Sequence, residues 1–89
     1  MARHISALKR ARQNEKRRMR NQRRKTRVKN VVREVRQAMI KKDAAGAETA
    51  LTKAVPIIAQ VAGKGTLHWR TAARKISRLT RQVNALKAL

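Results

Sequence analysis

Apolar positions along this chain fall into three stripes, each advancing by steps of three and four residues. The first holds Val28, Val31, Val32, Val35, Ala38 and Met39. Valine is β-branched, yet this spacing places the whole set on one face of a helix. Continuing the same steps toward the amino end reaches Arg24 and Lys25, then Asn21, then Arg17 and Arg18. The face that is apolar after residue 28 is therefore basic before it. No glycine or proline interrupts residues 2–42. The pattern predicts one helix from about Ser6, a candidate N-cap, to Lys42, roughly 55 Å long at 1.5 Å per residue.

Asp43 marks a boundary and suits the N-cap of a second helix. Its stripe is Ala44, Ala47, Leu51, Val55, Ile58 and Ala62, widened by Ile57 and Val61. Pro56 lacks a backbone N–H and predicts a kink, and Gly63-Lys64-Gly65 predicts a left-handed stop. The third stripe, Ala72, Ile76, Leu79, Val83 and Leu86, has the spacing of a bundle seam, with Arg70, Arg74, Lys75, Arg78 and Arg81 off it. Strand signals are nearly missing: there is no tyrosine or phenylalanine and no useful alternation. The expected fold class is all-α, a three-helix bundle with a long basic N-terminal helical extension. Residues 1–27 form the extension and 28–89 the bundle, with helix one continuing to about 42, helix two over about 44–62 and helix three over about 69–87.

Composition sharpens the division. Leucine, isoleucine and valine number 18 in the 89 residues, but only Ile5 and Leu8 precede residue 28. The first third cannot build a core, while the remainder can build a modest one. Lysine and arginine number 25 against 4 acids, a formal charge of +21. Such a chain repels itself when compact, so its working state is expected to include a polyanion. The like charges of residues 1–30 are expected to make the extension fray in free solution. The arginine-rich amino end also resembles an organellar transit peptide, although the basic pattern runs to Lys29 with few serines and no sustained apolar face.

Enzyme chemistry fails on inventory. Glu15, Glu34, Asp43 and Glu48 lie far apart, and each has a helix-local explanation: Asp43 caps, and Glu34 is placed to pair with a neighbouring arginine. His4 and His68 have no cysteine or nearby carboxylate with which to hold a metal, and Ser6 and Ser77 have no base in view. No catalytic residue, metal site or cofactor is expected. Nucleic acid is the better partner. Fifteen of the basic residues are arginine, whose planar fork matches phosphate oxygens. Basic side chains recur through residues 9–29 and are read as reaching every face of the helix, with Gln13, Asn21, Gln22 and Asn30 interleaved to suit sugar and base edges. The bland alternative is a solvated basic tail. Physical chemistry alone leaves open folded RNA, a DNA-compacting architectural role, and a bundle that docks a protein while the arm is incidental.

The order Ser6-Ala7, Lys9-Arg10-Ala11, Gln13, Glu15-Lys16, Arg18, Asn21 and Arg24 resembles the opening of the bacterial small-subunit ribosomal protein number twenty family. The likeness continues through Asp43, Pro56-Ile57, Lys64-Gly65, His68, Ala72-Ala73-Arg74, Ser77, Leu79 and the 84–86 end. That resemblance implies a three-helix bundle with an extended first helix, acting as a structural constituent that binds small-subunit ribosomal RNA early in assembly. It also implies a cytoplasmic, ribosomal location, a monomer within the ribosome, other small-subunit proteins as possible neighbours, and no membrane partner. By position, Lys9, Arg10, Lys16, Arg18, Asn21 and Arg24 would be RNA contacts on the long helix, and Lys64, His68, Arg74 and Ser77 contacts around the last turn and third helix. The basic residues among and beside them (Arg12, Arg17, Arg20, Arg23, Lys25, Arg27, Arg70 and Arg78) complete the expected RNA-binding set. The family commonly has lysine and asparagine where this chain has Trp69 and Arg70. The cap of the third helix is therefore expected at Thr66 or lost, and Trp69 is expected to cover the bundle end rather than to stack on a base or ribose.

Overall fold

The computed structural model describes residues 2–89, with side chains from His4 onward. Three helices, α1 (Ala2–Ile40), α2 (Ala44–Gly63) and α3 (Trp69–Ala88), account for the secondary structure, and no strand occurs among the described residues. The fold is all-α. At 39 residues, α1 is about 58 Å long, nearly twice the length of either partner.

The helix ends show where local chemistry outranked the sequence pattern. Ser6 lies inside α1 rather than capping it, because alanine at Ala2 carries the helix past the serine. At the other end α1 stops at Ile40, and Lys41 and Lys42 form a turn instead of a last helical step. Lys42 adopts φ 57, the single positive φ outside glycine among the described residues. Its N–H donates to the Met39 carbonyl at 3.0 Å, and the Asp43 N–H to the Ala38 carbonyl at 3.0 Å. This paired arrangement is a Schellman stop built on lysine. Asp43 then serves twice. Its Oδ1 accepts the Gly46 N–H at 3.0 Å and its carbonyl accepts the Ala47 N–H at 2.8 Å, so one residue closes α1 and opens α2. A methyl group on Gly46 would collide with that carboxylate.

α2 runs unbroken through Pro56, which faces outward. It ends at Gly63; the Lys64 N–H then donates to the Gln60 carbonyl at 3.1 Å and the Gly65 N–H to the Ala62 carbonyl at 3.0 Å, and Gly65 turns the chain away at φ +79. The cap of α3 is neither at Thr66 nor lost: His68 is extended, and its Nδ1 accepts the Arg70 N–H at 3.1 Å.

The core gathers Val28, Val31, Val32 and Val35 from α1, Ala47, Ala54, Ile58 and Val61 from α2, and Ala72, Leu79 and Val83 from α3. α2 is the middle element and packs on both partners, while α1 and α3 meet only sparingly. Its buried face is accordingly broad. Ala54, outside the expected stripe, is fully buried, and Val55 is only half-buried. Side-chain ion pairs tie the edges, Glu34 to Lys53 across α1 and α2 at 3.5 Å and Glu48 to Lys87 across α2 and α3 at 3.0 Å. Glu34 thus takes a lysine from another helix, not the neighbouring arginine. Both pairs are exposed and contribute up to about 1 kcal/mol each. The molecule measures 68 × 22 × 14 Å, and its radius of gyration of 17.9 Å far exceeds the ~12 Å of a compact chain of this length. The excess is the amino-terminal half of α1.

Candidate nucleic-acid interface

From His4 to Arg23 every side chain of α1 is exposed. Nothing among the described residues covers this stretch, so its helical form is not explained by packing. Its electrostatics oppose it as well. Arg12–Lys16, Lys16–Arg20, Arg20–Arg24 and Arg23–Arg27 are like-charge pairs four residues apart, each costing about 0.2–0.5 kcal/mol. Against them stands one internal ion pair, Arg18 to Glu15 at 3.0 Å. Lys9, Arg10, Arg12, Lys16, Arg17, Arg20, Arg23, Lys25 and Arg27 are exposed and make no ion pair among the described residues.

The cations do not reach every face. His4, Leu8, Ala11, Glu15, Met19, Gln22 and Thr26 follow one another at three- and four-residue steps, and none is lysine or arginine. At about 100° per residue this stripe leaves a cation-free sector of roughly 100° opposite the core seam. Leu8 and Met19 are its exposed apolar members. The charged surface is a broad arc, open on one side.

Asn21 and Arg24 behave differently from their neighbours. Arg24 is half-buried, and its Nη1 donates to Thr66 Oγ1 at 3.2 Å and to Asn21 Oδ1 at 3.4 Å. Thr66 Oγ1 in turn donates to Asn21 Oδ1 at 3.0 Å. This cluster fastens the turn between α2 and α3 to the middle of α1, and so brings Lys64 and His68 beside the arm. Arg24 and Asn21 therefore carry a structural load in addition to any contact with a ligand. Thr66, which the sequence offered only as a possible cap, is the residue that joins the two regions.

On α3, Arg70, Arg74, Ser77 and Arg78 are all exposed on the side away from the core, and Arg81 shares that face. None of them hydrogen-bonds to α1. His68 is exposed; with its Nδ1 spent on the cap, its Nε2 is left as an outward donor. Trp69 does not cover the bundle end. It is 65% exposed, with its ring stacked on His68 at 5.8 Å between centroids and Arg70 Cζ 5.2 Å from its centre. It opens α3 at the surface, flanked by His68 and Arg70 rather than by core side chains.

Four further cations lie outside the expected contact set: Lys29, Arg33, Arg36 and Lys75. The first three flank the valine seam, with Lys25, Lys29 and Arg33 recurring at four-residue steps, a signal present in the sequence. Lys75 has no such signal, since its place beside α1 depends on the packing of α3. No group of three or more potential metal-ligating side chains occurs among the described residues, and no helix is long and apolar enough to cross a membrane.

Comparison with known proteins finds one family along nearly the whole chain. A family model described as ribosomal protein S20 matches residues 2–84. The small ribosomal subunit protein bS20 of Nitratidesulfovibrio vulgaris strain Miyazaki F is 52% identical over 87 residues, spanning 98% of this chain and 100% of that protein. Its namesake from Solidesulfovibrio magneticus is 53% identical over 88 residues, 99% of each chain. That of Syntrophobacter fumaroxidans is 51% identical over 86 residues, 97% of this chain and 100% of the other.

Proposed function

The chain belongs to the ribosomal protein S20 family, and from that premise we propose that it is a structural component of the bacterial small ribosomal subunit that binds small-subunit ribosomal RNA directly and helps the subunit assemble. The bacterial ribosome is cytoplasmic, and that is where the protein works. Its contribution is binding and positioning rather than catalysis.

The observation that carries the RNA-binding step is the exposed half of α1. Its cations have no counter-charge in the protein beyond Glu15, yet the helix holds them in a fixed arc. Phosphates along that arc supply the missing charge, and the release of their counterions supplies much of the binding free energy. Arginine forks give bidentate contacts to phosphate, while Gln13 and Asn14 offer amides to sugar or base edges. The Asn21–Arg24–Thr66 cluster sets the angle between this arm and the second group of contacts, Lys64, His68, Arg70, Arg74, Ser77 and Arg78. RNA helices engaged by the two groups are thereby held in one relative orientation, which is how a small protein stabilises a folded RNA.

Footprinting on small-subunit ribosomal RNA tests the reading. Protection of a few discrete sites is expected, with a log–log salt slope of about −6 to −7 if roughly eight phosphates are neutralised. Even protection of any RNA or DNA offered would point instead to a general compacting protein.

A further inference from the structure

Trp69 is the one tryptophan of a chain with no tyrosine or phenylalanine, and it is left 65% exposed. Single apolar residues in water are ordinary and need no partner. Two features set this one apart. Seven residues before Ile76, it lies within about 20° of that residue around α3, so it continues the helix face that packs the bundle. Burial nevertheless begins only at Ala72. The seam therefore runs one step beyond the core and ends on an indole outside the packed cluster.

The second feature is charge. Lys64, His68, Arg70 and Arg74 are all exposed at this end of α3. No acid follows Glu48 in the sequence, and Glu48 is paired with Lys87, about 27 Å farther along α3. Glu15 and Glu34 are likewise in ion pairs, and Asp43 caps α2. The ring's own contacts leave most of it open. His68 meets it at 5.8 Å and 26° between planes, an offset contact, and the Arg70 guanidinium stands 5.2 Å from its centre. Because His68 Nδ1 is fixed by the Arg70 N–H, the imidazole beside the indole is itself held in place. These neighbours set the posture of the ring more than they cover it.

An aromatic face among cations, with no acid to answer them, suits a ligand that brings a flat π surface and a negative charge together. A protein patch would have to assemble the two from separate residues, whereas every nucleotide carries both. The arm also lies close by: Thr66, three residues before Trp69, is bonded to Asn21 and Arg24 of α1. Bases inside a duplex are stacked on one another, so a base that meets the indole is an unpaired one.

We propose that Trp69 stacks on an unpaired base of the bound RNA, while Lys64, Arg70 and Arg74 meet the phosphates beside it. The proposal rests on the RNA-binding reading above and adds a contact of another kind: the cations of the arm answer charge, and the indole answers a base.

The ring is its own probe, since its emission is the one indole signal of the chain. The full chain is titrated with small-subunit ribosomal RNA, with fluorescence and affinity read on the same samples. Quenching of the emission, and shielding of the indole from acrylamide, are expected on binding. Trp69→Leu keeps apolar bulk without a π face and is expected to weaken affinity about tenfold, within the range for losing one base stack. Trp69→Phe is expected to recover most of that loss. Neither variant removes a charge, so the salt slope is expected to hold, and Tm is expected to stay within a few degrees. Emission that stays unquenched in the RNA complex overturns the assignment. So does a Trp69→Leu affinity equal to the parent's, or one that falls only together with Tm. Shielding that appears only after other subunit proteins are added makes the ring a protein contact and overturns it as well. Failure of the parent chain to bind the RNA overturns the RNA-binding reading and this inference with it.

Discussion

Replacing Lys42 with glycine is expected to stabilise the protein, and the reason lies wholly in the backbone. Lys42 holds φ 57 to close α1, a conformation that costs an L-residue roughly 1–2 kcal/mol. Glycine adopts it freely, but gives back about 0.4–1 kcal/mol because its unfolded chain has more freedom to lose. The Lys42 side chain makes no hydrogen bond or ion pair among the described residues, so no contact is sacrificed. The net gain is about 0.5–1 kcal/mol, or roughly 2–8 °C in Tm for a domain of this size. Thermal melting followed by far-ultraviolet circular dichroism reads it directly. Removing one positive charge from a chain of +21 also relieves repulsion, so Lys42→Ala is the necessary control. Alanine loses the same charge and keeps the same backbone strain, and its Tm is expected to stay near that of the parent. Equal gains from alanine and glycine would refute the backbone argument, and a fall with glycine would refute the Schellman geometry itself.

The core, the arm and the Thr66 cluster each give a further expected outcome. Val35→Asp or Leu79→Asp is expected to abolish the cooperative melt, since each puts a lone carboxylate among apolar side chains at a cost of several kcal/mol. Arg17→Ala with Arg20→Ala, two exposed and unpaired residues, is expected to leave Tm within a few degrees while making the salt slope of RNA binding shallower by about 1.5–2; a collapsed melt with unchanged RNA affinity would reverse the division of roles. Arg24→Ala and Thr66→Val are expected to be non-additive in a thermal double-mutant cycle, with a coupling of about 0.5–1 kcal/mol, and strict additivity would mean the cluster does not tie the turn to α1.

Much of this architecture is legible in the chain. The valine seam from Val28 to Val35 can be read because charged residues separate its members, and Asp43 because a short acid beside a helical stripe has few other uses. Other features depend on information that a stripe does not carry. Ala54 is fully buried, but alanine gives almost no hydrophobic signal; its value is in letting helices approach. His68 as a cap is hidden because serine, threonine, asparagine and aspartate are the usual candidates. Glu34 meets Lys53 only after α2 folds back along α1. The cation-free sector escapes a count taken along the chain, since it is visible only when residues are placed by angle. The candidate contacts on the arm are readable one by one, whereas their relation to Lys64 and His68 depends on Thr66, a hydroxyl in a turn.

Because one uninterrupted helix carries both the seam and the charged arc, the two are locked in phase. Inserting a single residue between them would swing one by about 100° against the other. Seven would restore their mutual angle to within about 20°, but would push the tip some 10 Å farther out. Lengths between the arm and the valines can therefore drift only in near-heptad increments, each of which changes reach while preserving aim. The rod works as a gauge whose divisions are set by helical pitch.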